Sequence, residues 1–149
     1  MTHISDPHFA ERVRASFALQ HAMTLIRATI PVVAHGRIEI HLPHWPGVEQ
    51  QHGFVHGGVV GMIADSAAGY AANTLTPADT SVLTVEYKLN LVAPADGERL
   101  VARGEVVKPG RTLIITKAEV FAIRDGKWTL CALMQQTIMA MHGKKVLAA

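Results

Sequence analysis

The sequence predicts an α+β fold, in which one long central helix lies on an antiparallel sheet that curls round it, with an extra helix at the N-terminus. Two observations carry this expectation. Residues 58–75 are dominated by Ala, Gly and Ser, hold no proline and run too long for a strand. After Thr80 the chain changes to period-two alternation, in four segments separated by turn residues. A small-residue helix and a run of half-buried strands satisfy each other's apolar faces when they pack as two layers.

Each element follows from local pattern. Asp6 can cap a first helix and Pro7 suits its first turn. Phe9, Val13 and Phe17 recur at helical spacing, and this helix should end before Pro31. Residues 1–29 then form a helical extension of a single domain spanning 1–149. A strand is expected over Val32–Leu42, where Ile38, Ile40 and Leu42 alternate with Arg37, Glu39 and His41. Pro43, Pro46 and Gly47 break it, and an irregular loop runs to about His56. In the central helix Gly61 and Gly69 lower helix propensity, but small residues let other backbone approach closely. The last four strands are expected as a meander: Leu83–Leu91, Leu100–Val107, Thr112–Ile123 and Trp128–Met141. Pro94–Gly97, Pro109-Gly110 and Asp125-Gly126 turn them, the last being a strong hairpin signal.

Composition bounds the function. A chain of 149 residues suits one domain and buries roughly two-thirds of its unfolded surface. With 49% apolar and 17% charged residues it is not a disordered chain. The formal net charge is +2, and only Lys144 and Lys145 are adjacent basic residues. That argues against a nucleic-acid partner and leaves an anionic small molecule open. No apolar run reaches the roughly 18 residues of a membrane span, and residues 1–20 hold no signal-peptide core. The single cysteine, Cys131, lies in an apolar stretch and reads as a small core residue. A soluble, cytoplasmic protein is expected.

The chemistry concentrates in residues 52–73, HGFVHGGVVGMIADSAAGYAAN, where Asp65 is the one carboxylate. A buried, unpaired carboxylate costs several kcal/mol, so Asp65 should have a partner or face a cavity. Gly57-Gly58 stand where a loop enters the helix. Backbone N–H groups there lack intrahelical partners, point outward with the helix dipole, and carry no side chain to block a ligand. Such a site suits an anion or a carbonyl oxygen gaining negative charge. On spacing alone the glycines can equally serve the turn and close packing, and Asp65 a structural hydrogen bond. Asp65 lies seven residues beyond Gly58, about 10 Å of helical rise. It therefore cannot attack a carbonyl held by its own helix start, whereas an antiparallel helix of a second subunit could bring its Asp65 there. His56 can bond a ligand or fix the loop. His41, His44, His52 and His56 cluster in sequence, yet no recognised ligand pattern completes a metal site, so none is expected. No G-x-S-x-G elbow occurs and Cys131 lacks a nucleophile motif.

Gly53-Phe54-Val55-His56-Gly57-Gly58, then Asp65, then Ala71-Ala72, resembles the PaaI-type acyl-CoA thioesterases of the hotdog-fold superfamily. The likeness extends to Glu39 in GRIEI, to VEYKLNLVAP over 85–94 and to KPGRT over 108–112, covering roughly residues 30–141. It implies that the Gly57 N–H polarises a thioester carbonyl, with Gly58 beside it in the substrate site. Asp65 would be the nucleophile or general base, and His56 would hold the loop and the thioester end. Gln50 stands where family members commonly carry Asn, and would orient a water or bond the thioester. Thr84 would hold the attacking water. Lys108 and Arg111, on an exposed hairpin, are candidates for the phosphates of coenzyme A. Coenzyme A is part of the substrate, and no separate cofactor is implied. A homo-oligomer is implied, either a dimer or a dimer of dimers (a homotetramer).

Two alternatives stay in view. A hotdog dehydratase or hydratase usually pairs a catalytic His with its acid, where this chain has HGG. A non-catalytic acyl-CoA sensor tends to carry a DNA-binding helix pair, whereas the first 30 residues offer one helix and no basic recognition face. Aromatic residues make up only 5%, so no stacking platform for an aryl group is evident. Abundant Met, Ala and Val favour an adaptable apolar pocket.

Overall fold

Small side chains decide how closely the central helix can lie on its sheet. Helix α3 runs Gly57–Asn73 and buries Val60, Ile63, Ala64, Ala67, Ala68 and Ala71 among others. Opposite it, on strand β4 (Arg99–Lys108), stands Gly104. A Cβ there would sit 2.2 Å from the backbone carbon of Ala67 and 2.3 Å from its oxygen. Helix backbone thus rests directly on strand backbone. Gly104→Ala should cost about 1–3 kcal/mol or more, because neither backbone can give way as a side chain would. Urea unfolding would register the loss as a lowered midpoint with an unchanged slope.

The computed structural model describes residues 6–143, so the Lys144-Lys145 pair lies outside the described residues. Before α3 come helices α1 (Phe9–Ala18) and α2 (His21–Leu25), strands β1 (Thr29–Ala34) and β2 (Arg37–Pro43), and a short 3-10 turn at Pro46–Val48. After it come β3 (Thr80–Leu91), β4, β5 (Leu113–Arg124) and β6 (Lys127–His142). The strands make one antiparallel sheet in the order β1-β2-β4-β5-β6-β3. The sheet wraps α3, and this is the hotdog architecture. No described helix is long and apolar enough to cross a membrane.

Two expectations about the strands need correction. The stretch Val32–Leu42 is not one strand but a hairpin, with Ala34 opposite Arg37 and a turn at His35-Gly36. Gly36 takes φ +75°, which a glycine allows without strain. The N-terminal helix ends before Pro31, as expected; it stops at Ala18 and a separate short helix follows Gln20. The last four strands are not a single meander. Only β4-β5-β6 are, and β3 pairs with β6 instead of β4. The Pro94–Gly97 segment is thus a crossover rather than a hairpin. Across it, Val92 N–H donates to the Cys131 carbonyl at 2.9 Å and Glu98 N–H to the Ile123 carbonyl at 2.8 Å. The Asp125-Gly126 hairpin is as expected, with Arg124 opposite Lys127 and positive φ at both turn residues.

Asp6 closes the turn before α1 and does not itself cap the helix, whose N-cap is His8. Its carboxylate accepts from His8 N–H at 2.9 Å and Arg12 Nε at 2.8 Å. Arg12 also donates to Asn73 Oδ1 at 2.7 Å and to the Thr76 carbonyl at 3.0 Å. The N-terminal extension is thereby tied to the far end of α3. Glu39 lies on β2, where it accepts from Arg103 Nε at 2.9 Å and Arg37 at 3.3 Å. Burial acts to raise its carboxyl, but His41 and these guanidinium groups outweigh it and hold the acid below its ordinary range.

Candidate active site

The loop before α3 folds back on itself to deliver the helix start. Gln50 N–H donates to the Phe54 carbonyl at 2.8 Å, and His56 N–H to the Val48 carbonyl at 2.9 Å. Val55 N–H reaches the Ala95 carbonyl at 3.1 Å, which moors the loop to the crossover. His56 is then the N-cap of α3, and its Nδ1 accepts from Gly58 N–H at 2.9 Å. With Nδ1 accepting, a neutral His56 carries its proton on Nε2. The Gly58 N–H is occupied by the cap, and the Gly57 N–H has no partner among the described residues. Gly57 and Gln50 line one cavity of about 380 Å³, with Phe54, Leu91 and Pro94. A Cβ on Gly57 would meet Leu91 Cδ1 at 2.8 Å. The Gln50 side chain accepts from His52 N–H through Oε1, which leaves its amide nitrogen for a ligand.

Asp65 sits two turns further along α3, half-buried, in a different cavity of about 260 Å³. Ser16 of α1, Gln20 at the start of α2, Tyr70 of α3 and Val82 of β3 are among its walls. The carboxylate has both a partner and a cavity. Its Oδ1 accepts from Thr84 Oγ1 at 2.7 Å and from Gln136 Nε2. Thr84 precedes a bulge in β3, where the register against β6 shifts between Thr84 and Glu86. Such an irregularity re-aims side chains beside a site. Gln136 was not foreseen. It is 1% exposed and falls in phase with Met134, Ile138 and Ala140 on the helix-facing side of β6. One polar residue in an apolar phase was the available signal.

In a single chain, therefore, Gly57 and Asp65 open into separate cavities that share no lining residue. Their eight-residue separation is about 12 Å of helical rise. Beside both runs β3, an end strand of the sheet. It leaves Leu83, Val85, Tyr87 and Leu91 between 49% and 58% exposed. An edge strand so apolar is one that another chain normally covers.

The other candidates lie apart. Arg111 lines a third cavity with His35, Pro77 and His142, at the C-terminal end of α3, and Lys108 is exposed at the end of β4. The four histidines of 41–56 are spent on separate tasks. His41 lies 3.5 Å from Glu39, His44 lies 2.7 Å from the Gly97 carbonyl, His52 is exposed and His56 caps α3. Cys131 is 1% exposed, and burial pushes its thiol up to about 11, which makes it a poor nucleophile.

Comparison with known proteins bears on the fold and the family. A family model described as the thioesterase superfamily matches residues 52–129. A solved thioesterase family protein from Silicibacter pomeroyi is 47% identical, with a TM-score of 0.89 over 91% of this chain and 99% of that one. The PaaI protein of E. coli shares the fold with a TM-score of 0.80 at 16% identity, over 91% of this chain and 95% of its own. A protein of Saccharolobus solfataricus, an esterase by name, is 32% identical over 92 residues. That match takes in 62% of this chain and 64% of the relative's length. On the hotdog architecture, the glycine-started central helix and these likenesses together, the chain belongs to the thioesterase superfamily.

Proposed function

We propose that the protein hydrolyses an acyl-CoA thioester to the free acid and coenzyme A, in sites each built from two copies of the chain. The carrying observation is the separation of the two cavities along α3. One offers a free helix-start N–H at Gly57 and the amide of Gln50. The other offers Asp65 held by Thr84. Neither is a thioesterase site alone. Two β3 edges paired across a two-fold axis would set the α3 helices antiparallel and bring each Gly57 beside the partner's Asp65.

In such a site the Gly57 N–H and the positive end of the helix take up charge that develops on the thioester oxygen. One donor of this kind is worth about 10²–10³ in rate. His56 keeps the loop in place, while Gly58 lets the substrate approach. Water adds to the acyl carbon, the C–S bond breaks, and the proton that Asp65 takes from water passes to the leaving sulfur. Direct attack by the carboxylate, followed by hydrolysis of the mixed anhydride, gives the same products. Lys108 and Arg111 are offered to the phosphates of coenzyme A. Neither route needs a metal or a further cofactor, and a dimer or a dimer of dimers supplies the sites. We place the protein in the cytoplasm, where a lone thiol such as Cys131 persists.

Thiol release from a panel of acyl-CoAs, measured after prolonged dialysis against EDTA, tests this reading. Turnover of at least one thioester, unchanged by chelation, is the expected result. Tight binding without turnover across the panel would make the protein an acyl-CoA-binding module. Loss on chelation, restored by zinc, would replace the helix-start mechanism with metal-assisted hydrolysis.

A further inference from the structure

Behind Asp65 lies a buried polar chain that the proposed chemistry has not yet used. Thr116 of β5 is 0% exposed and Gln136 of β6 is 1% exposed. Thr116 Oγ1 donates to Gln136 Oε1 at 3.0 Å. The other end of the same amide, Nε2, donates to Asp65 Oδ1 and to Thr84 Oγ1, the latter at 3.0 Å. Thr84 in turn donates to Asp65 Oδ1. Two strands inside an apolar core do not carry a threonine and a glutamine without reason. Each buried polar group left unpaired would cost about 1–3 kcal/mol.

We propose that Thr116 and Gln136 are positioning residues, which hold the Asp65 carboxylate by Oδ1 so that Oδ2 is the oxygen presented to the thioester. This rests on the reading of Asp65 as the acid that does the chemistry, and deepens it. Thr116 fixes which way the Gln136 amide faces. Its hydroxyl hydrogen satisfies the amide oxygen, so the two amide hydrogens are turned towards Asp65 and Thr84. Reversed, the amide would set its oxygen against the carboxylate. Donors on Oδ1 stop the carboxylate rotating. Thr84 has given its hydrogen to Asp65, so it meets a water only as an acceptor. A water that donates one hydrogen to Oδ2 and the other to Thr84 Oγ1 is left with its lone pairs turned outward.

Four variants of the full chain test this: Gln136→Leu, Gln136→Glu, Thr116→Val, and Gln136→Leu combined with Asp65→Asn. Gln136→Leu should lower kcat by about 10–100-fold with KM changed less than about twofold, as when an interaction specific to the transition state is removed. Thr116→Val should lower kcat by less, because only the amide's orientation is freed. On the Asp65→Asn background Gln136→Leu should cost nothing further. Gln136→Glu gives a signature that a merely structural role would not. Protonated, the new acid reproduces a donor to Oδ1; ionised, it repels Asp65 and donates nothing. Its activity relative to wild type should therefore rise as pH falls from about 8 to about 5. Tyr70 is the one other titratable residue lining this cavity. Glu86, Lys88 and Lys117 pair with Thr137 or Gln135 on the opposite face of the sheet.

Wild-type kcat in Gln136→Leu would overturn the proposal. So would an equal fold-loss with and without Asp65→Asn, which would make Gln136 structural. If Gln136→Leu does not fold, the near-isosteric Gln136→Glu decides, and a pH profile parallel to wild type sinks the idea. Full turnover in Asp65→Asn alone would instead remove the role of Asp65 itself, and this inference with it.

Discussion

Asp65→Asn should lower kcat by about 10²–10⁴ and leave the fold intact. The size is the usual worth of a positioned base. The fold should survive because the asparagine oxygen can still accept from Thr84 Oγ1 and Gln136 Nε2, the partners that hold the carboxylate. What is lost is the charge and the second oxygen, and with them any means of taking a proton from water or attacking a carbon. KM should move little, since Gly57 and Gln50, the groups proposed to grip the thioester, are untouched by the substitution. Thiol release by the purified variant, alongside its melting curve, checks both halves. Turnover near that of the wild type would remove Asp65 from the chemistry. A collapsed melting temperature would show that the acid is chiefly a structural partner of β3 and β6.

Much of the fold was legible because faces are encoded locally. The small-residue run predicted α3 to within about two residues at either end, and alternation predicted the spans of β4, β5 and β6. Strand neighbours are not encoded that way. Alternation in β3 breaks at the bulge after Thr84, which turns Thr84 towards Asp65 and leaves Leu83 exposed, and it says nothing of which strand lies alongside. Pro94–Gly97 reads as a turn whether it makes a hairpin or crosses the sheet. The β1-β2 hairpin was missed because His35-Gly36 interrupts a run that is apolar on either side. In the site, Asp65 stood out as one charge in an apolar helix. Gln136 did not, since its neighbour Gln135 is also polar and the pair reads as surface. Only the phase of β6, carried past the irregularity opposite Val120 and Phe121, puts Gln136 inside. His56 was left between ligand and loop; its Nδ1 is on the Gly58 N–H. Lys108 and Arg111 have no such anchor, because exposed cations on a hairpin have no packing to specify their targets.

Mixing two inactive variants should restore activity if the site is shared between chains. Asp65→Asn removes the acid from both sites of its own dimer. Gly57→Val obstructs both helix starts, because even a Cβ there would lie 2.8 Å from Leu91 Cδ1 and stand over the free N–H. After subunit exchange, a hybrid dimer holds one site with a native Gly57 from the first chain and a native Asp65 from the second. Its other site carries both lesions. Random exchange makes roughly half of the dimers hybrids with one working site each, so about a quarter of wild-type turnover should return. The converse mixture is sharper still. The double variant Gly57→Val/Asp65→Asn, exchanged with wild type, should silence both sites of every hybrid and cut the turnover per wild-type chain by about half. Sites contained within one chain give the opposite pair of results: no recovery in the first mixture and no loss in the second. Mass spectrometry of isotope-labelled chains establishes that exchange has occurred, so either pair of results decides. The exposed apolar edge of β3 makes the same demand from another direction. Four large side chains of β3, each about half exposed, line the edge beside the two half-sites. Covering them with a second copy of the same strand is the one step that buries the edge and completes the chemistry together.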